Sequence, residues 1–222
     1  SKDVLIDPAI TGDRVRVAIY DDLGASVGGS RDMERVLGEY DRVATRRVCS
    51  LDVNAGMLSQ FDVVLWINAD GEVLDTPQRA AMERFIRSGK GYVGVHSAAG
   101  TGSSWPWLGE LVGAYATEHS DRPLQVEITT ETPHHPSTRH LPPRFRTAET
   151  IDRFDRNLRL DHEILLSVGG DDARDDSPLL CSRSWGRWSP PRGRALLAEG
   201  RLSVLQVTEV LGCPALCCRG AF

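Results

Sequence analysis

The sequence predicts an α/β protein with a doubly wound, mostly parallel sheet and helices on both faces. Three observations carry that reading. Apolar runs at residues 15–20, 62–68 and 92–96 alternate with stretches of helical spacing, and strands that alternate with helices pair in parallel. The run Asp62-Val63-Val64-Leu65-Trp66-Ile67-Asn68 is apolar without alternation, as a strand covered on both faces is. Gly94-Val95-His96-Ser97-Ala98 places a polar pair where an apolar strand gives way to a helix, the edge at which open α/β sheets collect their chemistry.

Val15 to Tyr20 reads as the first strand, ending in Asp21 and Asp22. The glycine-rich stretch Gly24 to Gly29 leads to Ser30, which has the chemistry of an N-cap. Met33, Val36, Leu37 and Tyr40 follow at helical spacing and form a core-facing stripe. A second strand spans Thr45 to Leu51. Thr76 as N-cap and Pro77 at the first helical position open the clearest helix, with Ala81, Met82, Phe85 and Ile86 on one face and Gly89 as its stop. Tyr92 to His96 is the next strand. Trp105 to Tyr115 is a further helix, burying Trp107, Leu108, Leu111 and Val112. Gln125 to Glu131 alternates as a half-buried strand, proline-rich loops run through Pro143, and His162 to Val168 is a core strand. Asp171 to Asp176 is a solvated acidic turn, and there are no internal repeats.

Composition narrows the class of function. A chain of 222 residues is long enough for one large domain, here taken as 1–222. A net charge of −5 with no basic stripe speaks against nucleic acid as a partner. No apolar run approaches the roughly 20 residues of a membrane span. No leader pattern is present, although the chain begins at Ser1 rather than Met and a removed leader stays open. The five cysteines, Cys49, Cys181, Cys213, Cys217 and Cys218, make neither a disulfide framework nor a paired CxxC zinc pattern, which points to a reducing cytoplasm.

The turn at His96 has the position of a nucleophile elbow but lacks the Cys, or the Ser between glycines, that such elbows carry. An imidazole there is a base near neutral pH, a metal ligand, or a core group hydrogen-bonded at a strand end. His119, after Glu118, reads as a helix-end cation, and Glu149 among Arg144, Arg146 and Arg153 as a surface carboxylate or a general acid. His134, His135 and His140 lack the i, i+4 spacing of a helical zinc motif and fit a surface loop. Gly24 to Gly29 forms no GxGxxG or P-loop. Trp105-Pro106-Trp107 offers either a stacking face for a sugar ring or ordinary core. Adjacent Cys217 and Cys218 define no tetrahedral site.

Several landmarks in order resemble the ThuA-like (trehalose-utilisation) family. They are Phe61-Asp62-Val63-Val64, the helix from Thr76 to Gly89, Gly91-Tyr92-Val93-Gly94-Val95-His96-Ser97-Ala98-Ala99, Trp105-Pro106-Trp107, and Leu111-Val112-Gly113-Ala114-Tyr115 followed by His119. His135-Pro136-Ser137-Thr138 and the region of Glu149 continue the series, so the resemblance covers residues 60–168. It implies a class I glutamine-amidotransferase-like, flavodoxin-like fold in which His96 stands where amidotransferases carry a nucleophilic cysteine. A thiol-based glutaminase is therefore not expected, and Cys49 lies on a different strand.

The chain also departs from that pattern. Gly100-Thr101 replaces an Asp-Thr pair, Ala148-Glu149-Thr150-Ile151 thins an acidic and aromatic string, and no histidine follows His162 where a Gly-His-Thr segment is expected. Residues 181–222 read as a divergent or frame-shifted tail. The resemblance implies a carbohydrate-related role with a small sugar ligand, of trehalose type or a keto derivative. His96, Ser97 and Glu149 are then the catalytic candidates and Trp105, His119 and His135 the ligand-binding ones, with proton transfer beside a keto group and hydrolysis both open. The cofactor, any metal and the oligomeric state stay open. A non-catalytic binding or scaffold module, and a metal-dependent hydrolase built on His96, His119 and a carboxylate, are the alternatives.

Overall fold

A computed structural model describes residues 14–21, 29–41, 43–67, 73–95, 104–119, 122, 124–135, 138–139, 141–149, 152–160, 162–169 and 177–182. In chain order the first elements are β1 (Val15–Asp21), α1 (Gly29–Gly38), β2 (Val43–Val48), a 3₁₀ turn (Ser50–Asp52), α2 (Ala55–Leu58), β3 (Val63–Ile67), α3 (Thr76–Arg87), β4 (Gly91–Val95) and α4 (Pro106–Val112). They are followed by β5 (Ala116–His119), β6 (Leu124–Thr130), β7 (Arg144–Glu149), β8 (Asp152–Phe154), a 3₁₀ turn (Leu158–Leu160), β9 (Glu163–Gly169) and β10 (Ser177–Ser182).

The first four strands form a parallel sheet in the order β2-β1-β3-β4. This is the flavodoxin-like doubly wound arrangement, with the order reversing between β1 and β3. Every residue of β3 is buried because its two faces feed different cores. Val63, Leu65 and Ile67 pack with Met33 and Leu37 of α1, while Val64 and Trp66 pack with α2, α3 and α4. That division explains why β3 reads as a continuous apolar run. On the α3 side, Tyr20 stacks on Trp66 with ring centroids 4.2 Å apart, and Tyr92 tilts against Trp66 at 6.3 Å.

The amino edge of the sheet is tied by Asp62. Its carboxylate accepts from Arg16 Nε and Nη2, both at 2.8 Å, and from Lys90 Nζ at 2.7 Å. The Arg16 backbone N–H donates to it at 3.1 Å. The Asp62 backbone N–H donates to the Arg16 carbonyl, and its carbonyl accepts from the Gly91 N–H. One residue therefore links the starts of β1, β3 and β4.

α3 starts one residue earlier than the spacing predicts. Asp75, not Thr76, is the N-cap, in a capping box with Gln78, and Pro77 occupies the second helical position. Its buried face is the expected one, and Gly89 ends it with φ of 92°. Other boundaries differ from expectation as well. α1 already includes Gly29, so Ser30 is a buried helical residue rather than the cap, and Tyr40 lies beyond the helix and is exposed. β2 stops at Val48, the 3₁₀ turn taking residues expected as strand. α4 stops at Val112 because Gly113, at φ of 94°, takes the left-handed conformation.

The later strands add two antiparallel assemblies: a sheet in the order β10-β9-β6-β7, and the ribbon β5–β8. Ile128 of β6 and Leu165, Leu166 and Val168 of β9 join the core on the α1 side. The acidic turn at 171–176 and residues 183–222 lie outside the described residues. No described helix is long and apolar enough to cross a membrane.

Asp62→Asn tests the clamp. Burial alone would raise the Asp62 carboxyl, but the bonds from Arg16 and Lys90 outweigh it and hold the pKa at about 2, against an ordinary 3.8. The stabilisation is complete above the ordinary value and is lost as pH falls towards about 2. The expected cost of the variant at neutral pH is about 2 kcal/mol, with a flattened acid limb in urea denaturation followed against pH. An unchanged acid limb would contradict the clamp.

Candidate functional site

The carboxyl edge of the parallel sheet is level across three strands. Asp21 pairs with Ile67 and Ile67 with Val95, so β1, β3 and β4 end in one row. His96 is the residue after Val95. It lies outside the described residues, as do Ser97, Gly100, Thr101 and the glycine run up to Gly28. The strand end that the sequence assigns to this place is where expected.

Cys49 stands at the same edge but on the far side of the sheet. It follows Val48, which pairs with Tyr20, so β1 and β3 intervene between β2 and β4. Three strand spacings put Cys49 about 14 Å from the end of β4. The thiol is exposed, and its Sγ donates to Asp52 Oδ2 at 3.3 Å.

Trp105 opens α4 and is only 6% exposed. Its Nε1 donates to Glu83 Oε1 on α3 at 2.9 Å, and its carbonyl accepts from the Tyr115 hydroxyl at 3.3 Å. The Arg79 guanidinium sits 5.7 Å from its ring centroid, and the Trp107 ring lies 5.5 Å away. On these sides the indole is committed to packing. The Tyr115 ring fits because residue 109 is glycine: a Cβ there would meet the Tyr115 hydroxyl at 2.2 Å. A Cβ on Gly113 would likewise meet the His162 ring at 2.0 Å. His162 is a participant that the sequence reading counted only as the start of a strand.

Backbone pairing brings two other candidates into one neighbourhood. His119 pairs with Asp152 across the β5–β8 ribbon, and Asp152 follows Glu149 by three residues. Glu149 ends β7 opposite Leu124, the first residue of β6. Three residues of chain span at most about 10 Å, so Glu149 and the His119 strand are close.

His135 is placed differently. It follows the other end of β6, and a seven-residue strand separates its ends by about 20 Å. His135 and Glu149 are therefore not brought together by β6. The His135 segment is tied to β9: Glu131 N–H donates to the Leu165 carbonyl at 2.9 Å and Thr132 Oγ1 to the Ile164 carbonyl at 2.8 Å. Arg159 grips Glu131 with both terminal nitrogens. The His135 backbone N–H donates to Thr132, and its carbonyl accepts from Thr138 and Arg139. The surface-loop expectation holds for His134, which is exposed, but His135 is only 8% exposed. Burial lowers its pKa from the ordinary 6.5, and the charge of Glu163 opposes this only in part. His140 lies outside the described residues. Among the described residues no group of three His, Cys, Asp or Glu side chains is arranged to hold a metal ion.

A buried imidazole that resists protonation makes stability depend on pH. As pH falls below 6.5 the unfolded chain takes up the proton first, so stability is lost on the acid side. Between about pH 7 and about pH 5, wild type is expected to lose stability more steeply than His135→Gln in thermal melts. Parallel profiles for the two proteins would show that His135 does not titrate as a buried group.

The ThuA family, described as trehalose utilisation, matches residues 33–194. Comparison with curated proteins gives no match. Among solved structures, a protein from Bacteroides uniformis described as ThuA-like superposes with a TM-score of 0.63 at 21% identity, covering 80% of this chain and 79% of that one. A second such protein, from Parabacteroides merdae, gives 0.63 at 16% identity over 79% and 76% of the two chains. PurLQS from Thermotoga maritima gives 0.50 at 14% identity, over 89% of this chain and 97% of that one. At such identities the likeness is one of fold.

Proposed function

The chain belongs to the ThuA family, and from that premise we propose that it serves trehalose utilisation by holding a small sugar at the carboxyl edge of its parallel sheet. The supporting observation is the level row Asp21–Ile67–Val95, which makes the residue after Val95 the first that β4 delivers to that edge. That residue is His96. On this reading a trehalose-type disaccharide or its keto derivative lies against His96, and Ser97 orients one of its hydroxyls. His119 and Glu149, whose strands the β5–β8 ribbon and the end of β7 set near one another, supply the second acid or base on this reading. Trp105 borders the pocket as a fixed wall. His135, enclosed on the β9 side, has a structural part.

The same placement argues against thiol chemistry. No cysteine follows β4 in the sequence near the elbow, and Cys49 stands three strands away. The protein is expected to release no ammonia from glutamine. Rapid stoichiometric labelling of Cys49 by a glutamine-analogue electrophile, with ammonia release, would overturn that expectation.

His96→Ala tests the pocket. A polar group lining a wet cleft contributes little packing, so the melting temperature should stay within about 2 °C of wild type while sugar binding is lost. A histidine satisfied within the core would instead cost about 1–3 kcal/mol by stranding its partner. Melts of both proteins, with calorimetric titration of a panel of disaccharides and keto-sugars, separate the two. A large fall in melting temperature with sugar binding unchanged would show that His96 is structural.

A further inference from the structure

The strand that carries His119 belongs to the smallest sheet among the described residues. β5 and β8 pair Ala116 with Phe154, Glu118 with Arg153 and His119 with Asp152. A two-stranded ribbon is marginal by itself, and its register is weakly specified where the hydrophobic pattern is thin. Here the pattern is thin: Thr117-Glu118-His119 runs against Asp152-Arg153, and only the Ala116–Phe154 end is apolar. The register has to be set from beyond the ladder.

The start of the ribbon supplies it. Tyr115 precedes β5, Asp155 follows β8, and the two are joined twice. The Tyr115 N–H donates to Asp155 Oδ1 at 2.9 Å, and the Asp155 N–H donates to the Tyr115 carbonyl at 3.0 Å. Beside this clasp, Ala114, Leu158 and Ile164 form a buried cluster against which Phe154 packs. Tyr115 is held further by its hydroxyl, which donates to the Trp105 carbonyl. Between the clasp and His119 the ladder shifts by one residue, from Ala116 to Glu118. A regular ladder continued from the clasp would set His119 opposite Ile151; the shift sets it opposite Asp152. Bulges of this kind recur beside functional sites, where they re-aim a strand.

We infer that Asp155 is a positioning residue: by clasping Tyr115 it fixes the register of the β5–β8 ribbon, and so the residue that stands opposite His119. The inference rests on the sugar-pocket reading above, in which His119 and Glu149 supply the second acid or base, and adds the device that holds the His119 strand in place. Residues directly opposite on antiparallel strands share a face. The register therefore decides whether His119 is matched with the acidic Asp152 or, after a slip of one residue, with Ile151 or Arg153. Asp155 acts through the hydrogen bond that Oδ1 accepts; Arg156 Nε, 3.7 Å from the same oxygen, is the longer contact. An asparagine amide oxygen can accept that bond as well, whereas alanine cannot.

The test compares Asp155→Ala and Asp155→Asn with wild type by three readouts: cross-strand NOE contacts between the backbone protons of His119 and Asp152, amide hydrogen exchange, and calorimetric titration with trehalose and a keto-disaccharide. Asp155→Ala is expected to lose the His119–Asp152 contacts, to speed exchange in β5 about tenfold and to weaken sugar affinity about tenfold, with the amides of β1 and β3 unchanged. Asp155→Asn should return all three to near wild type. Contacts that persist in Asp155→Ala would overturn the role of the clasp, as would an Asp155→Asn that fails to restore them. Lost contacts with unchanged affinity would overturn the positioning role, and faster exchange in β1 and β3 would show that Asp155 supports the whole fold instead. Wild type that binds neither sugar would overturn the sugar reading, and the NOE and exchange measurements would then decide the clasp by themselves.

Discussion

The carboxylate of Asp62 sets the geometry on which the rest of the molecule depends. Parallel strands have no hairpin to fix their register, so the alignment must come from side chains and from the crossover helices. Asp62 supplies it by holding Arg16 at the start of β1 and Lys90 just before β4, while its own backbone bonds to both neighbours. Strands rise by a constant amount per residue, so alignment at the amino edge carries to the carboxyl edge, about 13 Å along the sheet. A slip of one residue would move Trp66 from the α3 face to the α1 face and push Leu65 the other way. It would also remove the level row at which β1, β3 and β4 end.

The two cores divide the work. The side facing α1 is aliphatic and extends into the antiparallel sheet through Ile128, Leu165, Leu166 and Val168. The side facing α3 is aromatic, with Tyr20, Trp66 and Tyr92 in a row across β1, β3 and β4. Trp66 is 1% exposed and its indole N–H has no hydrogen-bond partner among the described residues. Such a group costs about 1–3 kcal/mol, a cost offset by the stacked burial of a ring of this size. The aromatic side is also where Trp105 docks, so the wall beside the candidate pocket grows out of a rigid core rather than out of a loop.

How much was legible follows from where burial writes itself into the sequence. β1, β3, α3 and β4 could be read because one or both of their faces are buried and their apolar spacing records it. β5, β7 and β8 could not, because they are short and charged, and Arg144-Phe145-Arg146-Thr147-Ala148 looks solvated even though its backbone is paired throughout with β6. The Asp62 clamp was hidden for another reason: its partners lie 46 and 28 residues away. At the site, the end of β4 at Val95, the residue before His96, was legible as the end of an apolar run. The pairing of β5 with β8, which brings the His119 strand near the end of β7, was not, and neither was the burial of His135, which depends on ties to β9.

The central claim is that a sugar is held at the carboxyl ends of β1, β3 and β4, with the imidazole of His96 among its partners. A crystal structure of the protein grown with trehalose, or with a keto-disaccharide, tests this most directly. The account predicts the sugar beyond the Asp21–Ile67–Val95 row, with a hydroxyl or carbonyl oxygen within hydrogen-bonding distance of His96. A sugar bound elsewhere on the molecule, or a His96 ring turned into the core with the carboxyl edge filled by protein, would contradict it.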